Sequence, residues 1–180
     1  MNSNKSLASI KFSLAQSFQA EAISRLVNSA YRPEPNNCAG WTHESLIVMG
    51  SRIAPAQVTQ ILSQSQYCIY LAHFQNTLVG AIQATRLADS IELGMFAVDP
   101  AFQNSSIGSQ LMAHAEQTAG ADAMTSHIYV VHTQEALIQF YERRGYRKTG
   151  KLEPYPVNAG VGTPKGIELH LVHMVKQLRF

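Results

Sequence analysis

Apolar residues along this chain recur in two rhythms, one of period two and one of helical period, and the two alternate from end to end. In Ile10 to Gln16 (IKFSLAQ) the apolar positions 10, 12 and 14 follow the strand period and predict a half-buried first strand. From Phe18 the rhythm changes. Ile23, Leu26, Val27 and Ala30 fall at i, i+3, i+4 and i+7, which predicts a helix ending near Tyr31, ahead of Pro33 and Pro35. A loop, PEPNNCAGWTHE, follows. Pro55 then stands where a first helical turn tolerates proline, with Val58, Ile61 and Leu62 on one face as far as about Gln64. Tyr67 to Phe74, Thr77 to Leu87 and Ile91 to Val98 read as three consecutive antiparallel strands, the first two joined by a Gln75-Asn76 turn. Pro100 ends the third, and after the polar QNSSIGS a helical stripe of Ile107, Leu111, Met112, Ala115 and Ala119 begins. Thr125 to His132 predicts a strand, Glu135 to Arg144 a short helix closed by Gly145, and Tyr146 to Leu152 and Ile167 to Leu178 two closing strands.

No linker divides this pattern and nothing repeats at a fixed period, so the expectation is one α/β domain over residues 1–180. At 180 residues and 46% apolar, the chain is long enough to bury a proper core. Fourteen Lys and Arg against twelve Asp and Glu leave a formal charge of +2 without a run of like charges, which argues against wrapping nucleic acid. No apolar stretch approaches the roughly 20 residues a bilayer span needs, and polar residues interrupt Met1 to Ala20, so neither membrane insertion nor export is expected. Cys38 and Cys68 are too few for a disulfide framework and form no CxxC pair, which fits a reducing cytoplasm. His170 and His173 on one strand point to opposite faces, as do His127 and His132, and no metal site is expected.

Two segments carry candidate chemistry. In Val98-Asp99-Pro100-Ala101-Phe102-Gln103-Asn104-Ser105-Ser106-Ile107-Gly108 a strand ends, a small polar loop turns, and a helix starts at once. Free backbone N–H groups then converge where the helix dipole also favours negative charge, a geometry suited to a pyrophosphate. The same residues also read as an ordinary connection with Ser105 or Ser106 as N-cap. The loop lacks the Lys-Ser/Thr pair of a P-loop and the three glycines of a dinucleotide fingerprint, which weakens a nucleotide-switch reading. The second segment is EALIQFYERRGY, Glu135 to Tyr146, where Tyr141 can hold its hydroxyl towards a cleft while Phe140 packs inward, or serve simply as a core residue with a wet tip.

The order of strand, Val-Asp-Pro, Gln-x-x-x-x-Gly, helix, strand and a helix ending in FYERRGY resembles the GNAT superfamily of acetyl-CoA-dependent N-acetyltransferases, over nearly the whole chain. GWTHESLIVMGSR (Gly40 to Arg52) and YERRGYRKTGKLEPYP further resemble a bacterial and fungal subgroup. One position departs from the family's loop, Gln/Arg-x-x-Gly-x-Gly/Ala: Gln103 and Gly108 are in place, but Ser106 stands at the first glycine. The resemblance implies a mixed, mostly antiparallel central sheet flanked by helices on both faces. It also implies transfer of an acetyl group from acetyl-CoA to a primary amine of a small molecule or peptide in a ternary complex, without a metal. A non-catalytic acyl-CoA-binding or regulatory module is the alternative that Ser106 leaves open, and self-association as a homodimer is compatible with either.

For the cofactor, the resemblance implies Phe96, Ala97 and Val98 along the pantetheine arm and Gln103, Asn104, Ser105, Ser106, Ile107, Gly108 and Ser109 around the pyrophosphate. It places Tyr141 beside the sulfur as proton donor. Glu92, six residues before Val98, matches the catalytic base of the histone-modifying branch. Glu92 could equally be a strand-edge carboxylate facing solvent or paired with Arg86, and a bulge permitted by Gly94 would decide which face it occupies. For the acceptor the chain offers Tyr31 and Trp41 as walls, His43 for a polar group, Glu44 to hold an ammonium, and Tyr155. Trp41 could also simply plug its loop onto the core.

Overall fold

The computed structural model describes residues 10–33 and 44–178. In chain order the elements are β1 (Ile10–Leu14), α1 (Ala20–Tyr31), β2 (Val48–Met49), α2 (Pro55–Leu62), β3 (Tyr67–Phe74), β4 (Thr77–Arg86) and β5 (Ser90–Val98). After these come α3 (Ile107–Ala119), β6 (Thr125–Val131), α4 (Glu135–Glu142), β7 (Arg147–Pro154), β8 (Thr163–Pro164) and β9 (His170–Gln177). Seven strands form one sheet in the order β1-β3-β4-β5-β6-β9-β7, and β2 pairs with β8 in a separate ribbon. The sheet is antiparallel except between β5 and β6. It is a mixed α/β fold with helices on both faces.

The predicted stripes are the packed ones. Ile23, Leu26, Val27 and Ala30 of α1 are all buried, and with Val58 of α2 they cover Ile69, Leu71, Ala81, Met95 and Ala97. On the other face Leu111, Met112 and Ala115 of α3 and Ile138, Phe140 and Tyr141 of α4 cover Tyr70, Ile82, Leu93 and Ile128. Phe18, taken above as the start of the first helical stripe, instead lies in a 3₁₀ turn before α1 and is 81% exposed. Leu14 is also exposed, at the end of edge strand β1.

Two irregularities in β5 position the site. Its register against β4 shifts between Ala81 and Gln83, so that Met95 and Phe96 together oppose Ile82, and Met95 takes φ +46°. The bulge thus falls at Met95 and not at Gly94, whose φ is ordinary. The extra residue reverses the alternation: Ile91 and Leu93 face α3 before it, and Phe96 and Val98 do after it. Glu92 therefore points to the face that carries α1 and α2. The second irregularity is a fork, because the β5–β6 pairing runs from Ser90–Thr125 only to Leu93–Ile128. Beyond Leu93 the strands separate, and among the described residues no strand pairs with the β6-facing edge of Gly94 to Val98.

Candidate active site

A cleft of about 330 Å³ opens at this fork. One wall is β5 at Phe96, Ala97 and Val98, and the head is the loop with Gln103, Asn104 and Ser106 and the first turn of α3, Gly108 and Ser109. Leu137, Phe140 and Arg144 form the α4 wall, and Ala30 and Tyr31 close the side towards α1. Eight of the ten positions expected to hold the cofactor line this cleft. Ser105 and Ile107 do not: Ser105 is exposed with its hydroxyl donated to the Phe102 carbonyl, and Ile107 is 3% exposed in the core.

Side-chain capping by Ser106 does not account for the bend of the loop. Ser106 is the N-cap of α3, but at φ +64° it makes no side-chain cap, and its Oγ accepts from Gln110 Nε2 at 2.9 Å. Asn104 is also at φ +64°. A serine in the left-handed region has adopted the backbone that a glycine would supply, and its own side chain caps none of the first-turn N–H groups of α3. Gly108 serves packing. A Cβ there would lie 3.1 Å from Phe96 Cζ and 3.7 Å from Phe140 Cζ, intruding on the cleft wall.

Arg144 escaped the sequence reading because its segment looked like a helix terminus. Its guanidinium lies over the Phe140 ring, 3.3 Å from the centroid, donates to the Phe140 carbonyl at 2.6 Å and reaches Ser109 Oγ in α3. Its Nε is buried without a partner. Burial and the neighbouring Arg143 lower its pKa. A planar cation therefore stands beside the start of α3, where its charge favours an anion.

The phenols converge. Tyr141, 6% exposed, packs beside Phe96 and Phe140 at ring distances of 6.3 and 5.4 Å, and burial, with the nearby Tyr31 phenol adding, raises its pKa well above the usual value. Tyr31 is raised as well, chiefly by burial. Both phenols stay protonated throughout the neutral range.

Glu92 is half-buried, and among the described residues it makes no hydrogen bond or ion pair. Burial raises its carboxyl above the ordinary range. It does not pair with Arg86, whose register partner is Ile91, the residue on the opposite face from Glu92. Around Glu92 the uncovered sheet face holds His127, Tyr129 and His173, none of them among the expected site residues.

The acceptor candidates fare differently. Tyr31 lines the cleft. Glu44 is 5% exposed and ion-paired with Arg32, which also donates to the carbonyls of Gly50 and Val161. Its charge is already neutralised, so the expected role of holding an ammonium does not fit it. Tyr155 is 9% exposed and donates to the Val161 carbonyl at 3.0 Å, anchoring the segment before β8. Trp41 and His43 lie outside the described residues. Among those described, no group of three or more His, Cys, Asp or Glu could hold a metal ion, and no helix is long and apolar enough to cross a membrane.

Comparison with known proteins agrees with this geometry. The family model described as "Acetyltransferase (GNAT) domain" matches residues 39–157, and the chain belongs to the GNAT acetyltransferase family. Among solved structures, the PaiA N-acetyltransferase of Thermoplasma acidophilum in complex with coenzyme A is 16% identical with a TM-score of 0.71, over 94% of this chain and 99% of that one. The ribosomal-protein-S18-alanine N-acetyltransferase of Escherichia coli is 14% identical with a TM-score of 0.69, over 96% of each chain. A GNAT family acetyltransferase from Elizabethkingia anophelis with acetyl-CoA bound is 18% identical with a TM-score of 0.59, over 94% and 98%. No curated protein matches the sequence.

Proposed function

We propose that the protein, acting as a single domain, transfers the acetyl group of acetyl-CoA directly to a primary amine of a small molecule or peptide. The observation that carries this reading is the fork in the sheet. Among the described residues it sets an unpaired strand edge between a helix terminus that Ser106 does not cap on one side and an unpartnered carboxylate on the other. The pantetheine arm would pair with the open edge at Phe96 to Val98 as a further strand. Its pyrophosphate would sit on the Gln103–Ser109 backbone, with Arg144 as an added cation. The N–H of Phe96 would donate to the thioester carbonyl, where it stabilises developing negative charge.

The acceptor arrives largely as an ammonium, since an alkylamine has a pKa of about 10.4. Glu92, unpaired and with its pKa raised, is the base that fits. Tyr141 faces the other end of the bond. Full transfer from a phenol raised above about 10 to a thiolate near 8.5 is uphill, so Tyr141 stabilises the departing sulfur first by a hydrogen bond. Ser106 does not favour the non-catalytic alternative, because its backbone is already glycine-like.

The test is thiol release from acetyl-CoA against an amine panel, with parent and Glu92→Gln compared across pH. In the parent, turnover should rise with pH through an apparent pKa above the ordinary carboxylate range. In Glu92→Gln the limb should disappear and the rate fall by about 10²-fold or more. Stability should move the other way. A carboxyl whose folded pKa is raised favours folding while protonated, and the penalty appears as pH rises through the folded value. Glu92→Gln should therefore raise Tm at pH 8 and leave it unchanged at pH 4. Acetyl-CoA binding without thiol release on any amine would support a binding module instead.

A further inference from the structure

If the acceptor gives up its proton to Glu92, as the proposed function holds, the rest of the acceptor meets the groups around the cleft. Tyr31, at the C-terminal end of α1, lines that cleft, and the Arg52 guanidinium lies over its ring, 5.2 Å from the centroid. Arg52 belongs to the segment between β2 and α2, and the backbone beneath it is pinned to α1. Asn28 Oδ1 accepts from the main-chain N–H groups of Arg52 at 2.6 Å and of Ile53 at 3.3 Å. Asn28 Nδ2 and Ser24 Oγ donate to the Ile53 carbonyl at 2.8 and 2.9 Å, and Ser24 is buried. Asn28 precedes Tyr31 by three residues, so one turn of α1 fixes both the root of Arg52 and the ring under its head.

The charges here do not balance. The Tyr31 and Tyr155 phenols both feel the fields of Arg32, Arg52 and Glu44. Arg32 and Glu44 are a buried ion pair, and Arg32 donates further to the Gly50 and Val161 carbonyls. Among the described residues the half-buried Arg52 guanidinium makes no hydrogen bond or ion pair and rests only on the Tyr31 ring. A positive charge is therefore left over beside a cleft wall, on an arm whose root is fixed. A planar guanidinium in that position matches a carboxylate through two parallel N–H bonds. Arg52 does not line the cofactor cleft itself, whose head at Gln103–Ser109 is assigned to the phosphates, so the anion that fits it is not the cofactor's.

We infer that Arg52 binds a carboxylate of the acceptor, and that the acceptor is an amine carrying its own carboxylate, a free amino acid or a short peptide. The amine end goes to Glu92 and the carboxylate end to Arg52. Two unpartnered groups of opposite charge then fix which atom of the acceptor meets the thioester.

The experiment measures thiol release for the parent, Arg52→Gln and Arg52→Lys. The acceptors are free α- and ω-amino acids and short peptides with a C-terminal carboxylate, each beside its carboxamide. The parent should prefer the acid by about tenfold or more in kcat/KM. It should do so although the amine of an α-amino amide is less basic and supplies more of the neutral form. In Arg52→Gln the ratio should fall to about one, through KM and not kcat, because the contact is common to ground and transition states. Arg52→Lys should keep part of it. Damage to Tyr31 packing or to folding slows acid and amide alike and leaves the ratio untouched, so a parent-like ratio in Arg52→Gln overturns the assignment. Equal use of acid and amide by the parent does the same. A preference among the free amino acids, or among the peptides only, supports the site and identifies the source of the carboxylate. Calorimetric titration with coenzyme A present reads the same ratio as binding, without turnover. A parent that releases no thiol with any amine, yet binds acids over amides in an Arg52-dependent way, fails the proposed transfer and keeps the Arg52 site. Absence of that preference in binding as well overturns the site.

Discussion

The sheet face under α3 and the face that α1 and α2 leave uncovered each keep a carboxylate out of bulk water, with opposite surroundings. Under α3, Glu116 is 6% exposed and accepts from the Tyr146 hydroxyl at 2.8 Å and from Lys176 Nζ at 2.6 Å, while Tyr146 also meets Ser126 Oγ at 2.7 Å. On the uncovered face Glu92 has no partner among the described residues. A satisfied network ties α3 to β6, β9 and the start of β7 and has no capacity left for chemistry. An unsatisfied carboxylate costs stability and retains its capacity to take a proton. Glu44 falls on the satisfied side of this division because Arg32 holds it, and for that reason it joins α1 to the segment before β2 and is not poised for an acceptor.

The largest effect expected from this contrast is on stability. Lys176→Met leaves the Glu116 charge buried without its cation and should cost about 3 kcal/mol, roughly 10 °C in Tm, read by calorimetry. Acetyl-CoA affinity measured well below that Tm should be unchanged. If Lys176→Met instead weakened binding and left Tm alone, the division into structural and reactive carboxylates would be wrong.

Tyr141→Phe comes next. It keeps the ring that packs on Phe96 and removes only the hydroxyl, so turnover should drop about 10²-fold while acetyl-CoA affinity holds. A full rate under conditions where chemistry limits turnover would rule out a role at the sulfur. Arg144→Gln should be milder, about a tenfold loss in coenzyme A affinity with a shallower salt dependence, measured by titration calorimetry. The control is pantetheine, which lacks the phosphates. Equal weakening of both ligands would mean that Arg144 shapes the α4 wall and does not hold an anion.

The helices and long strands were legible because each depends on one face of its own sequence, such as Ile23, Leu26, Val27 and Ala30 in α1. The loop between β5 and α3 was legible for the same reason, since a strand end and a helix start are local events. What stayed hidden depends on register between distant segments. His127 and His132 do point to opposite faces within their strand, yet β6 and β9 pair so that His127 meets His173 and His132 meets His170. The Arg32–Glu44 pair and the β2–β8 ribbon likewise form only when separate stretches close on each other, and strands of two residues carry no period to read. The bulge at Met95 was misplaced for another reason. Glycine is the residue that most readily takes positive φ, and here a methionine takes it because the strand pairing on β4 requires it.

Ser106 combines both kinds of information in one residue, and the effect of changing it is the smallest expected here. Its φ of +64° costs an L-residue about 1–2 kcal/mol, and Ser106→Gly would remove that cost. Glycine gives back about 0.5–1 kcal/mol through the larger entropy of its unfolded chain, so the net gain should be about 0.5 kcal/mol. That corresponds to a rise of about 1–2 °C in Tm. Because the hydroxyl is turned along α3 to Gln110 at 2.9 Å, and the backbone already has the glycine conformation, coenzyme A affinity should change by less than about twofold. Affinity and Tm measured on the same variant separate the two contributions. A stabler protein with unchanged affinity means the serine is tolerated at a position that wants glycine. A loss of affinity beyond tenfold would instead make the hydroxyl a phosphate ligand, and its bond to Gln110 a contact that breaks when the cofactor binds.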